Sequence, residues 1–410
     1  MQVLVIGGGA AGLIAAGAAA RAGHSVRLLE QNPRMARKVM ITGKGRCNLT
    51  NNCTLDDLIA NVPTNPRFLY SAFSAFMPQD MMTLVEDMGV PLKTERGNRV
   101  FPVSDKAVDI VDALVKYARD GGCRFVQGKA ARLQLENGAC TGVVLTDGET
   151  LIADAVIVAT GGGSYPQTGS DGSGYELARQ AGHTVTPLRP SLVPLESPAE
   201  YCKQMQGLSL KNCAVTLEDT VRGKTIYTDF GEMLFTHFGV SGPMVLSSSA
   251  HMRETAPDRY RLWIDWKPAL SAEQLDARLV RELSELANHD ASSMVRRLLP
   301  QKAVSVFLHL AEWDGTKKCH DITRAERQRL LTLIKRFPVP IRGTRPLSEA
   351  VITAGGVSVK EINATTMQSK LVSGLYFAGE ILDVDAYTGG FNLQIAFSTG
   401  MAAGTHIERG

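Results

Sequence analysis

A chain of 410 residues is longer than one hydrophobic core usually supports, and it fits two or three domains. With 44% hydrophobic and 21% charged residues, the composition excludes disorder, a coiled coil and a collagen-like chain. The 44 Lys and Arg against 41 Asp and Glu leave a formal net charge of +3, too small to argue for nucleic acid or an anionic membrane.

Residues 2–6 form a short apolar run of strand-forming residues, broken by Gly7-Gly8-Gly9. The Ala-rich stretch 10–22 reads as a helix closed by Gly23, and 25–29 as a second strand ending at Glu30. This is a βαβ unit, expected to be parallel and right-handed. The apolar run from Val3 to Ala20 has about the length of a membrane span, but glycines interrupt it, and it lacks the basic start and cleavage site of a secretory signal. A cytoplasmic location is therefore expected. Helices are predicted at 65–76, 78–88, 105–119 and 173–181, and strands at 124–127, 131–135, 141–145 and 155–159. Beyond Arg189-Pro190 the texture changes to short alternating strands such as 213–218, 224–229 and 260–265. Residues 271–336 turn charged and helical, with capping-box spacing at Ser271/Gln274 and Thr323/Glu326. From about 345 the Gly-rich, strand-like texture returns.

The expected organisation is a discontinuous α/β main domain, 1–190 plus 345–410, carrying an insert at 191–344. The insert divides into a small barrel or sheet, about 191–270 and 337–344, and a helical part, about 271–336.

The strongest local signal is Gly7-x-Gly9-x-x-Gly12 between the first strand and the first helix. Gly7 permits the tight turn, Gly9 lets backbone approach a pyrophosphate, and Gly12 allows close helix–strand packing. Glu30 ends the second strand, where a carboxylate accepts hydrogen bonds from ribose hydroxyls and repels a 2′-phosphate. The expected nucleotide is FAD or NAD rather than NADP. Arg34, Arg37, Lys38, Lys44 and Arg46 follow, with no acidic residue between Gln31 and Leu55, and are expected to wall the dinucleotide. Ala159-Thr160-Gly161-Gly162 follows an apolar strand, and Gly379-Glu380 and Gly389 to Gln394 precede a C-terminal helix whose positive end suits a reduced flavin. No second GxGxxG follows a strand, so any NAD(P)H is expected to dock transiently. The seven Cys form no CxxC pair and no Cys/His cluster, and no metal is expected.

The opening glycines with Glu30, the run Thr42 to Asn51, Ala159 to Gly162 and the run Phe377 to Asn392 resemble the BaiN/YhiN-type flavoproteins, also described as the aminoacetone oxidase family of FAD-binding enzymes. Phe235 to Pro243 and Ile352 to Val357 are similar to further blocks of that family, and a more distant likeness is to the superfamily that includes fumarate reductase. The resemblance implies a Rossmann-like FAD-binding domain with an inserted small β-barrel and helical subdomain. It carries FAD contacts onto Gly7, Gly9, Ala11, Gly12, Glu30, Lys38, Gly45, Arg46, Cys47, Ala159, Thr160, Gly379, Glu380, Asn392 and Leu393. It also implies an FAD-dependent oxidoreductase acting on a small organic substrate bound between flavin and insert, either an enone of the 3-dehydro bile acid type or an amine such as aminoacetone.

Two alternatives remain. One is a flavin disulfide reductase using Cys47 and Cys53, although five residues separate them, against four in that enzyme class. Lys44 and Arg46 are expected to lower the Cys47 thiol pKa. The other is a nucleic-acid-binding flavoprotein using the helical insert, where twelve Lys/Arg face nine Asp/Glu. Nucleic acid is not the expected partner on so small an excess. No catalytic residue is assigned: His237 reads as structural, and Tyr165 and Tyr387 are equally unsupported.

Overall fold

The computed structural model describes residues 1–254 and 256–408. The chain divides into two compact units, Met1–Ser191 with Leu347–Gly410, and Leu192–Pro346.

The first unit is organised by a five-stranded parallel sheet. Its strands are β1 (Gln2–Ile6), β2 (Ser25–Glu30), β3 (Arg124–Gln127), β4 (Ala155–Val158) and β5 (Leu375–Phe377), in the spatial order β5-β4-β1-β2-β3. Val3 to Ile6 and all of β4 and β5 are buried, as expected of strands covered on both faces. Helix α1 (Ala10–Arg21) joins β1 to β2, and helix α2 (Phe391–Thr405) follows β5. Two smaller antiparallel sheets flank this frame, one from 50–51, 92–95 and 99–102 and one from 130–136, 139–145 and 150–152.

The predicted helix 65–76 is not continuous. Asn65 adopts the left-handed region, Pro66–Leu69 forms a 3-10 turn, and a regular helix covers only Tyr70–Ala75. The residue before a proline is disfavoured in the right-handed helical region, which keeps Asn65 out of the helix.

The second unit holds a seven-stranded antiparallel sheet in the order 337–341, 260–265, 209–219, 224–236, 239–241, 195–196, 343–344. Its two edge strands are consecutive in the chain, separated by Arg342 alone. A sheet whose opposite edges are one residue apart must curl back on itself, which is the barrel-like solution to exposed strand edges. Helices Ala272–Glu285, Ala291–Leu298, Gln301–Leu310 and Arg324–Lys335 share its apolar core, where Trp266 packs edge-to-face on Phe307 and Phe337. The capping boxes at Ser271/Gln274 and Thr323/Glu326 form as the spacing predicts.

Candidate functional site

In an open parallel sheet, ligands bind at the carboxyl ends of the strands, where neighbouring connections diverge. Here β1 sits between β2 and β4, and the turns that leave β1 and β4 pack on each other. Gly7 has φ 102°, and a Cβ there would lie 2.6 Å from the Ala159 carbonyl oxygen. A Cβ on Gly12 would collide with the Gly7 carbonyl. Any side chain at either position forces the turn open. Gly9 caps α1 without a side chain, and nothing lies within 4 Å of where its Cβ would point. The first intrahelical bond runs from the Leu13 N–H to the Gly9 carbonyl, 3.0 Å, so the N–H groups of Ala10, Ala11 and Gly12 have no intrahelical acceptor. The Thr160 hydroxyl, in the turn that packs on Gly7, is buried without a hydrogen-bond partner. A cradle free of side chains, N–H donors without intrahelical acceptors and an orphaned hydroxyl fit a phosphate-bearing cofactor.

Glu30 is 8% exposed, and its carboxylate is already engaged. Oε2 accepts from the Gly8 N–H at 2.7 Å, and Oε1 accepts from the Asn32 N–H at 2.8 Å and its amide at 2.7 Å. This side chain first fastens the glycine turn, and its remaining lone-pair capacity is what it can offer a ribose.

Lys38 and Glu380, 342 residues apart, meet in an ion pair of 2.7 Å. Lys38 Nζ also donates to Ser164 Oγ at 2.7 Å, and Glu380 accepts from the Thr353 N–H at 2.8 Å and from Ser164 Oγ at 3.0 Å. Lys38 is therefore neutralised within this cluster rather than standing as a bare cation. Gly379 packs against α1 at Ala11, and its N–H donates to Thr399 Oγ1 of the C-terminal helix at 2.9 Å.

Helices α1 and α2 lie parallel in close contact. A Cβ on Gly400 would meet the Ala11 carbonyl oxygen at 2.5 Å, and one on Gly404 would collide with that of Ala15. Matching Ala11 with Gly400 places the start of α2 beyond the start of α1 by eight residues, about 12 Å. Gly390 begins α2 in the left-handed region, and the first intrahelical bond joins the Gln394 N–H to the Gly390 carbonyl. The N–H groups of Phe391, Asn392 and Leu393 have no intrahelical acceptor. The side chain of Asn392 turns back, bonding the N–H and carbonyl of Ala386 at 2.9 and 2.7 Å, so only its backbone faces forward. Two positive helix ends, aimed the same way and staggered, suit a dinucleotide with phosphate at one end and an electron-accepting ring at the other.

The structure does not bring the whole basic loop to this site. Arg46 pairs with Glu95 and with Asp105 at 2.6 Å, and lies over the Phe101 ring at 4.1 Å. Two carboxylates from the 92–105 segment claim the cation that the sequence alone left unpaired. Arg37 bonds the Asn32 side chain, and Lys44 and Gly45 are exposed. Cys47 is fully buried, with its N–H on the Thr42 carbonyl. Burial pushes its thiol up to about 12, which corrects the expectation that Lys44 and Arg46 would lower it. Cys53 is pushed up to about 11, by burial first and Asp57 second. Every cysteine is a free thiol. His237 is exposed at a strand turn with its ring edge-on to Phe238, and Tyr165 caps a 3-10 turn in the left-handed region. Among the described residues, no group of three or more His, Cys, Asp or Glu is arranged to hold a metal ion. No helix among them is long and apolar enough to cross a membrane.

Sequence reasoning did not anticipate Asn32, Ser164, Thr353 and Thr399. Each is a common polar residue whose partner lies far along the chain, and no local pattern marks it.

The family profile described as the HI0933-like protein Rossmann domain matches residues 1–406. The chain is 30% identical over 407 residues to the 3-dehydro-bile acid delta(4,6)-reductase of Clostridium scindens, covering 98% of each chain. It is 31% identical over 410 residues to the ribosomal RNA dihydrouridine synthase of Escherichia coli K12, covering 98% of this chain and 96% of the relative. Among solved structures it is similar to the 3-ketosteroid delta1-dehydrogenase of Sterolibacterium denitrificans, with TM-score 0.51, 14% identity and 98% coverage of both chains, a likeness of fold.

Proposed function

Because the chain belongs to the HI0933-like Rossmann family and is an FAD-dependent oxidoreductase, we propose that it reduces a carbon–carbon double bond conjugated to a carbonyl. A bound FAD supplies two-electron hydride chemistry. Gly7, Gly9, Ala11 and Gly12 hold the pyrophosphate on the α1 end, with Ala159 and Thr160 beside it. Glu30 fixes the turn and meets the ribose. Lys38 with Glu380, and the Asn392 and Leu393 N–H groups, serve the flavin end. The reductant is NAD(P)H, docking transiently.

The observation that carries this reading is the staggered pair of helix ends. The N–H groups at the start of α2 would stabilise charge on a reduced ring. Support for the conjugated acceptor comes from the two relatives of nearly equal identity along the whole chain, the delta(4,6)-reductase and the dihydrouridine synthase. A 3-keto steroid with unsaturation at carbons 4 and 6 and a uracil ring share one reactive element, a C=C polarised by a neighbouring C=O.

The favoured substrate is a small-molecule enone in the cytoplasm. A second reading, uracil within structured RNA, has its own support. The second unit carries 22 Lys and Arg against 18 Asp and Glu, and the Escherichia coli relative is named for ribosomal RNA. The test is to offer the reduced protein a 3-keto-4,6-diene and, separately, protein-free ribosomal RNA, and to follow product masses. A gain of two hydrogens on the steroid supports the first reading. The same gain on RNA alone supports the second, and neither gain defeats both.

A further inference from the structure

The seven-stranded sheet of the second unit turns one face to solvent, and that face carries a hollow that the site described above does not use. Along 213–219 and 260–266 buried residues alternate with more exposed ones. Ala214, Thr216 and Glu218 therefore share the outer face with Asp265, Trp263 and Arg261, their partners in register. The hollow measures about 370 Å³, and its lining includes Ala214, Thr216, Glu218, Thr225, Trp263 and Arg336. Among the described residues, neither the Thr216 nor the Thr225 hydroxyl has a hydrogen-bond partner. Trp263 is fixed in place, because its Nε1–H donates to Glu218 Oε2 at 2.6 Å. The Arg336 guanidinium lies over its ring, 4.2 Å from the centroid and 3.6 Å from Glu218. The Arg336 side chain is 61% exposed, so the guanidinium is backed by the indole and open to water on the side away from it. Lys335 is held by Asp265 and by the carbonyls of Lys267 and Leu270. Arg261 stands 5.3 Å from the same ring and, among the described residues, has no carboxylate within ion-pair distance. Phe230, opposite Ala214 on the neighbouring strand, is 54% exposed on this face.

We propose that this face docks an unpaired nucleoside of RNA, with its base in the hollow. The choice of partner rests on the RNA reading above. A base stacks on an arginine guanidinium as it does on an aromatic ring, and only a base outside a duplex can reach such a plane. Arg336, already ordered by the indole beneath it and by Glu218, is a plane of that kind. The carboxylates of Glu218 and Asp265 line the hollow and keep a phosphate out of it, whereas Glu218 accepts from a base N–H and the two threonine hydroxyls both donate and accept. The phosphate falls instead to Arg261, which stands beside Glu218 without an acidic partner. Phe230 gives a neighbouring unstacked base a second surface on the same face.

The test measures binding of a fluorescein-labelled, uridine-rich single-stranded RNA to the FAD-loaded protein, with the same RNA annealed to its complement for comparison. The single strand should bind more tightly than the duplex. Trp263→Ala and Phe230→Ala should each weaken it about 5- to 150-fold, the worth of one stacked base. Arg336→Lys keeps the charge and loses the plane, and should weaken binding as well. Arg261→Gln should lower the slope of log affinity against log salt by about one. Phe230→Ala and Arg261→Gln alter exposed side chains, and an unchanged flavin spectrum and thermal midpoint show that each variant is folded. A wild type that holds no RNA, one that holds the duplex equally well, binding indifferent to Arg336→Lys and Phe230→Ala, or displacement of the RNA by NADPH overturns the proposal. Product masses separate this result from the RNA reading. If RNA gains two hydrogens yet binds every variant like the wild type, the reading stands and this face fails. If RNA is held through this face and gains none, the reading fails and the docking face stands.

Discussion

Replacing Glu30 with Ala tests how the nucleotide turn is built. The substitution removes the acceptor of three hydrogen bonds, from the Gly8 N–H and from the Asn32 N–H and amide, at a position 8% exposed. Hydrogen bonds to a charged group contribute roughly 1.5–3 kcal/mol each, and a buried backbone donor left without an acceptor adds to the loss. Glu30→Ala is expected to lower the thermal midpoint of the FAD-free protein as well as its FAD affinity. The loss of a single ribose contact of that size alone weakens binding about 10- to 150-fold. The assay is differential scanning fluorimetry of the FAD-free protein beside a flavin-fluorescence titration. Glu30→Gln keeps an acceptor oxygen and should lie between the two. If Glu30→Ala keeps both midpoint and affinity, neither the turn-fastening role nor the ribose contact stands. If the midpoint falls and the affinity does not, only the ribose contact is lost.

Gly404→Leu forces α1 and α2 apart at the Ala15 carbonyl and should abolish recovery of soluble yellow protein, whereas Gly343→Ala, with open space at its Cβ, should leave recovery unchanged. The His183 imidazole is buried, with Nδ1 3.1 Å from Glu361 and Nε2 2.8 Å from Ser369, and burial holds its pKa below the usual value against the pull of Glu361. The unfolded chain thus binds the proton more readily, so His183 contributes stability above about pH 6.5 that is lost as pH falls. Urea midpoints between pH 8 and 5.5 should decline, less steeply in His183→Asn, and an equal slope in the variant would refute the assignment. Cys53→Ser should retain flavin turnover within a few-fold, and Cys47 should react with a disulfide reagent only on unfolding, because its thiol is buried and pushed up to about 12. Rapid labelling of native Cys47, or loss of turnover in Cys53→Ser, would restore the disulfide-reductase alternative.

What the sequence revealed was mostly local. The β1–turn–α1–β2 unit is legible because glycine spacing, an apolar strand and an Ala-rich helix are contiguous, and Gly7 and Gly12 occupy places where a side chain cannot fit. The capping boxes of the second unit are legible for the same reason, since both partners lie within one turn. Long-range partners were not. The basic loop looks uniformly cationic from residues 31–55, yet Arg46 is claimed by Glu95 and Asp105 and Lys38 by Glu380. Cys47 looks activated by its neighbours in sequence and is instead sealed in the core, where desolvation outweighs them. The full burial of Asp385 and its one unsatisfied oxygen are likewise produced only by the fold.

The most direct test of the account follows the flavin itself. The purified protein, reduced anaerobically by light, is mixed with a 3-keto-4,6-diene steroid while absorbance in the flavin bands is recorded and the product is weighed by mass spectrometry. The account predicts that the oxidised flavin spectrum returns and the steroid gains two hydrogens. A flavin that stays reduced with conjugated carbonyl compounds, both the steroid and uracil-containing RNA, while the oxidised protein is bleached by a primary amine, would contradict it.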